Sequence, residues 1–203
     1  MLDVTGRTIA IIGGGAVAAR KARGLIDAGA KQVRCVAPEF CVEMPAEVRR
    51  IAAPYRPEHL DGAVLVFAAT DRPDVNDQVV RDAHARGLLV SRADNDEQEP
   101  GDFVTPARLQ RGRVIVSVAA QSAALSAMIR DRVAQVFDPA WRAIADAMEE
   151  LRPLIKASAV SIEARRHIFR ELTTDEALDV MRRDGTAGLR RWLLDRHPEL
   201  THA

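Results

Sequence analysis

Residues 8–18 read Thr-Ile-Ala-Ile-Ile-Gly-Gly-Gly-Ala-Val-Ala. Five apolar or β-branched residues without alternation predict a strand covered on both faces, as in a parallel sheet. Three glycines follow, and apolar positions at Val17, Ala22, Leu25 and Ile26 predict a helix over 16–28, stopped by Gly29. The turn contains G-x-G-x-x-A between strand and helix. Gly13 permits the tight turn, Gly15 lets backbone approach a pyrophosphate, and Ala18 permits close helix–strand packing. The helix start offers N–H groups and partial positive charge to an anion. The context makes this a dinucleotide-binding turn.

Outward from it the alternation continues. Short strands are predicted at 33–37 and 63–68, separated by a less regular stretch holding Pro45, Pro54 and Pro57. A helix over 73–86 begins on Pro73, where a missing N–H does no harm, and ends at Gly87. Strands at 88–93 and 114–118 complete the series. This order predicts an α/β, Rossmann-like parallel sheet with helices on both faces, spanning 1–118. A small all-helical C-terminal region follows over 119–203, with helices expected at 123–136, 141–156, 161–172, 174–183 and 186–195. Ser161 and Thr174 stand at helix starts as caps.

An acidic residue is expected about 20 positions past Gly13 to take the ribose hydroxyls. Here Glu39 follows Pro38, and Arg34 lies inside the preceding strand, so these residues leave NAD against NADP open. A second cofactor segment is expected at Ala68-Ala69-Thr70-Asp71, at the carboxyl end of a buried strand, with Asn76 on the first turn of the next helix. The candidate cofactor set is Gly13, Gly14, Gly15, Ala16, Val17, Pro38, Glu39, Ala69, Thr70 and Asn76.

The chain has 203 residues, and 29 basic side chains balance 29 acidic ones. The balance holds on either side of residue 138, which argues against a polybasic nucleic-acid binder. No apolar run approaches a membrane span. All but three of the cations (Lys21, Lys31 and Lys156) are arginine, whose forks suit carboxylates and phosphates, although arginine also serves ordinary surfaces. Two cysteines, Cys35 and Cys41, make no disulfide framework, so the expected home is a reducing cytoplasm. The five histidines are scattered, and no metal site is expected.

Three stretches together resemble the precorrin-2 dehydrogenase/sirohydrochlorin ferrochelatase family of sirohaem synthesis. The first runs from Val4-Thr5-Gly6-Arg7 through the glycine turn to Arg20-Lys21-Ala22. The second is Phe67-Ala68-Ala69-Thr70-Asp71 with Val75-Asn76, similar to A-A-T-x-x-x-x-V-N. The third runs from Val90-Ser91-Arg92-Ala93-Asp94 to Asp102-Phe103-Val104-Thr105-Pro106-Ala107, similar to V-N-x-x-D leading to D-F-x-x-P-A. The resemblance covers about residues 1–137. It implies NAD⁺-dependent dehydrogenation of precorrin-2 to sirohydrochlorin, with Fe²⁺ insertion added in some members. It also implies a homodimer whose helical region contributes to the interface and to the tetrapyrrole cleft.

The resemblance places a functional aspartate in the third stretch. Asp94 is preferred because it directly follows a strand; counting back from Phe103 without a gap selects Asp96 instead. Ser91 and Arg92 stand in the neighbourhood of the family's asparagine. Pro106 and Ser122 are candidate substrate contacts, and Ser122 also suits a helix cap. The competing reading is an NAD(H)-sensing module without catalysis. A sensor has no need of an acid at a strand tip, which favours the enzyme.

Overall fold

The computed structural model describes residues 2–94, 101–120, 122–158 and 160–202. The chain divides into two compact units, 1–105 and 106–203.

In the first unit, β1 (Thr8–Ile12) leads through α1 (Ala16–Asp27) to β2 (Gln32–Ala37) and then β3 (Arg49–Ala52). The chain returns to β4 (Leu65–Ala68), α2 (Pro73–Ala85) and β5 (Leu89–Arg92). All pairings are parallel, in the order β3-β2-β1-β4-β5. Direction reverses between β1 and β4, so right-handed crossovers put α1 and α2 on opposite faces. The side chains follow: Ile9, Ile11, Leu65 and Phe67 pack with Ala18, Ala22 and Leu25 of α1. Ala10, Ile12, Val66 and Ala68 pack with Val79, Val80 and Ala83 of α2. Such double burial leaves no polar alternate position in β1 or β4, hence their unbroken apolar runs. Each large aliphatic residue buried this way contributes about 1.5–3 kcal/mol.

The strand β3 was not expected from sequence. It is a short edge strand reading Arg49-Arg50-Ile51-Ala52, largely exposed, without the continuous apolar run that marks β1. A loop rather than a helix joins it to β2, and Met44 and Val48 of that loop are buried in the α1-side core. At the other edge, residue 102 binds β5: Asp102 N donates to Val90 O at 2.7 Å, and Val90 N donates to Asp102 Oδ2 at 2.7 Å. Phe103 then meets Phe67 edge-on, 5.6 Å between centroids. The Asp-Phe pair is thus a cover for an open sheet edge.

The second unit opens with a hairpin, β6 (Ala107–Arg111) and β7 (Val114–Val118), antiparallel about Gly112, whose φ is +57°. This corrects the sequence expectation. The strand at 114–118 belongs to no parallel sheet, because its partner lies two residues upstream. The hairpin stands at the start of the second unit and precedes the region 119–203, which is helical among the described residues, as expected.

Among the described residues four α-helices follow: α3 (Ala123–Val136), α4 (Pro139–Ala157), α5 (Ile162–Glu171) and α6 (Asp175–Arg196). Ile144, Ala147, Leu151 and Ile155 of α4 pack with Ile168, Leu172, Val180, Leu189 and Leu193. Ser161 and Thr174 cap α5 and α6, accepting from Ala164 N at 3.2 Å and Ala177 N at 3.3 Å. The two helices expected at 174–183 and 186–195 form one run broken at Gly185, where φ is +64°. Among the described residues, no helix is long and apolar enough to cross a membrane.

Candidate functional site

The carboxyl ends of β1, β2, β4 and β5 carry the glycine turn, Pro38-Glu39, Ala69-Thr70 and Ala93-Asp94 respectively. In open α/β sheets, ligands bind outside these ends where strand order reverses.

The three glycines have different reasons to be glycine. Gly13 has φ +131°, and a β-carbon there would lie 2.2 Å from Ala69 O. A β-carbon on Gly14 would lie 1.9 Å from Glu39 O and 2.8 Å from the Ala37 β-carbon. Sequence spacing assigned Gly14 no role of its own; the neighbouring loop does. A β-carbon on Gly15 would meet nothing within 4 Å. Gly15 is the N-cap of α1 in extended conformation, with no side-chain cap and no acidic residue in the first turn. The turn therefore presents bare main-chain amides beside an open cradle, which fits a dinucleotide pyrophosphate.

The turn is braced on both sides. Gly13 N donates to Val36 O at 2.9 Å, Cys41 N to Gly14 O at 2.8 Å, and Ala69 N to Ile12 O at 2.8 Å. The Cys35 thiol donates to Gly13 O at 2.9 Å. Burial is the main cause that pushes this thiol up to about 12, so it stays a protonated donor. Ala16 and Val17 are exposed at the start of α1, and Pro38 and Glu39 are exposed beyond β2. Arg34 is committed elsewhere, donating to Asp61 O at 2.5 Å.

The expected second segment forms one hydrogen-bonded network with Asp94. Asn76 is fully buried. Its Oδ1 accepts from Thr70 N at 3.2 Å and lies 2.7 Å from Thr70 Oγ1. Its Nδ2 donates to Thr70 O at 3.1 Å and to Asp94 Oδ2 at 2.8 Å. Asn76 thus holds the loop and the carboxylate together from within, and Thr70 is the more accessible member.

Asp94 accepts from Arg92 as well, Nε to Oδ1 at 2.5 Å and Nη2 to Oδ2 at 3.1 Å. Partial burial raises the carboxyl, but the bonds from Arg92 and Asn76 outweigh it and hold Asp94 below the usual carboxylate range. Asp96, the alternative acid, lies outside the described residues. Neither Arg92 nor Asp102 was singled out as functional from sequence; the pairing of V-x-R-x-D with D-F was the available signal.

The two candidate substrate contacts lie in the second unit. Pro106 is exposed just before β6. Ser122 caps α3, its Oγ accepting from Leu125 N at 3.1 Å, which leaves its hydroxyl hydrogen able to donate outward. Among the described residues, no group of three or more His, Cys, Asp or Glu is placed to hold a metal ion.

A family model described as "Putative NAD(P)-binding" matches residues 1–107. The siroheme synthase of Photorhabdus laumondii is 32% identical over 177 residues, covering 84% of this chain and 37% of that protein. That of Chromobacterium violaceum is 33% identical over 187 residues, covering 89% of this chain and 39% of that protein. The chain thus spans about two fifths of these curated relatives. Among solved structures, SirC, a precorrin-2 dehydrogenase, superposes with a TM-score of 0.76 at 22% identity, covering 96% of this chain and 98% of that one, and so shares the fold. With an unblocked glycine turn at the switch point of a 3-2-1-4-5 sheet, the chain belongs to the NAD(P)-binding family whose model it matches.

Proposed function

We propose that this protein is an NAD⁺-dependent precorrin-2 dehydrogenase that forms sirohydrochlorin in the cytoplasm. One observation carries the reading: a continuous run of contacts joins the glycine turn to an ionised carboxylate. Gly13 abuts Ala69, the next residue Thr70 bonds Asn76, and Asn76 bonds Asp94. A nucleotide sensor needs the first half of that run, but an anionic strand tip tied to it suits removal of hydrogen from a substrate.

Bound NAD⁺ would supply the hydride acceptor. The chain's own residues supply the rest. The amides of Gly15, Ala16 and Val17 would hold the pyrophosphate, with Ala69 and Thr70 beside it. Glu39, exposed beyond β2, would accept from the ribose hydroxyls and repel a 2′-phosphate, favouring NAD over NADP. As one hydrogen leaves the macrocycle with its bonding electrons as hydride, positive charge develops there; Asp94 stabilises it and accepts the second hydrogen as a proton. On the second unit, Ser122 and Pro106 are the proposed tetrapyrrole contacts.

The assay is purified protein with NAD⁺ and precorrin-2, followed by NADH absorbance and the sirohydrochlorin spectrum. Stoichiometric NADH and sirohydrochlorin are expected, with NADP⁺ at least about tenfold poorer in kcat/KM. NAD⁺ binding without any rate above the uncatalysed background would overturn the enzyme and leave the sensor.

The proposed assembly is a homodimer formed through the second unit. On α3, Leu125, Met128 and Val136 fall on one helical face and are 41%, 54% and 73% exposed. Sedimentation equilibrium should give twice the 22.2 kDa chain mass. Leu125→Asp should shift it toward monomer; an unchanged dimer would remove α3 from the interface.

A further inference from the structure

The Arg92 side chain is only 2% exposed. A guanidinium so placed needs partners for its donors, since burying it unpaired costs several kcal/mol. It has them at both ends: Nη1 lies 2.5 Å from Asp77 Oδ1 on α2, while Nε and Nη2 take the two oxygens of Asp94. The fork geometry matches a carboxylate in one plane, which a lysine could not enforce.

We propose that Arg92 is a positioning residue, gripping Asp94 through two nitrogens while Asp77 holds its third from behind, so that the carboxylate is fixed in plane and orientation at the end of β5. The inference rests on the dehydrogenase reading above. Three constraints act on Asp94: the fork from Arg92, the amide of Asn76, and the backbone of β5. Among the described residues, the charged groups facing it are Arg92 at the end of β5 and, through Arg92, Asp77 on α2; Asn76 adds a neutral amide. The charge of Arg92 also sets the carboxylate's basicity. With it in place, the bonds overcome the effect of burial; without it, burial acts against the amide alone and the carboxyl rises. The guanidinium stays charged throughout, held so first by Asp94 and then by Asp77.

The test has one readout without the reaction and one with it. In the cofactor-free protein, carboxyl ¹³C NMR titration follows Asp94, assigned by its loss in Asp94→Asn. In Arg92→Met, and to a lesser degree in Asp77→Asn, the Asp94 titration should move upward by about 1–3 pH units. Turnover should fall roughly 10- to 100-fold in kcat, with KM and NAD⁺ affinity little changed, because a misplaced group costs rate rather than binding. The acid limb of the pH–rate profile should rise with the NMR midpoint. Arg92→Lys keeps the charge without the fork; it should restore the low titration but not the full kcat, and it serves if Arg92→Met does not fold. An unmoved Asp94 titration overturns the grip, as does a moved titration with wild-type kcat and acid limb, which leaves Arg92 a structural tie between α2 and β5. Undiminished turnover in Asp94→Asn instead overturns Asp94 as the functional acid, whatever the titration shows, and wild-type protein without turnover overturns the dehydrogenase reading itself.

Discussion

Asp94→Asn should lower turnover on precorrin-2 by about 10²- to 10⁴-fold, the range that a positioned acid or base contributes. NAD⁺ affinity should stay within about twofold, since a dinucleotide held by the glycine turn draws its binding from backbone amides on another strand. Asparagine is the informative replacement because it keeps the shape while losing the charge and the proton-accepting site. Its oxygen still accepts from Arg92, so the guanidinium keeps a partner, and Asp77 continues to compensate its charge. Circular dichroism and thermal melting should therefore show a folded protein. Stopped-flow NADH formation and fluorescence titration of NAD⁺ separate the two quantities. Full turnover would return the assignment to Asp96 or to a group on the second unit.

The second large effect separates glycines that shape the fold from the one that receives the ligand. Gly14→Ala places a β-carbon where Glu39 O and the Ala37 side chain already stand, at 1.9 and 2.8 Å. Both neighbours belong to the β2 end, and Cys41 N is bonded to Gly14 O, so the backbone has little room to give. Overpacking of this kind costs about 3 kcal/mol, which for a chain of this size is a drop of roughly 6–12 °C in melting temperature. NAD⁺ binding should fall with it. Gly15→Ala should behave differently. Its β-carbon meets nothing and its conformation is one any residue adopts. The melting temperature should stay within about 2 °C, while NAD⁺ affinity drops at least about tenfold, or 1.4 kcal/mol, because the added methyl occupies the space a pyrophosphate needs. Scanning calorimetry beside isothermal titration decides the matter. Equal losses of stability and affinity in both variants would mean that the cradle at Gly15 does not receive the dinucleotide.

Local features were legible in the chain. The apolar runs of β1 and β4, Pro73 opening α2, and the serine and threonine caps of α5 and α6 each depend on neighbours within a few residues. Periodicity and capping report such neighbours directly. The same holds for the glycine turn, where strand, bend and helix are contiguous, and for the position of Asp94 just beyond a strand.

What only the tertiary structure decided involves partners far apart in sequence. Gly14 is constrained by Glu39, Thr70 is tied through Asn76 to Asp94, and Arg92 reaches back to Asp77. β3 exists because β2 offers an open edge, not because Arg49-Arg50-Ile51-Ala52 favours a strand. The hairpin β6–β7 leaves the parallel sheet because a two-residue turn about Gly112 pairs it with itself more readily than any crossover could. Composition and spacing carry no record of which distant backbone a side chain will meet. That record appears only when right-handed crossovers on a twisted sheet bring the ends of β1, β2, β4 and β5 to one edge.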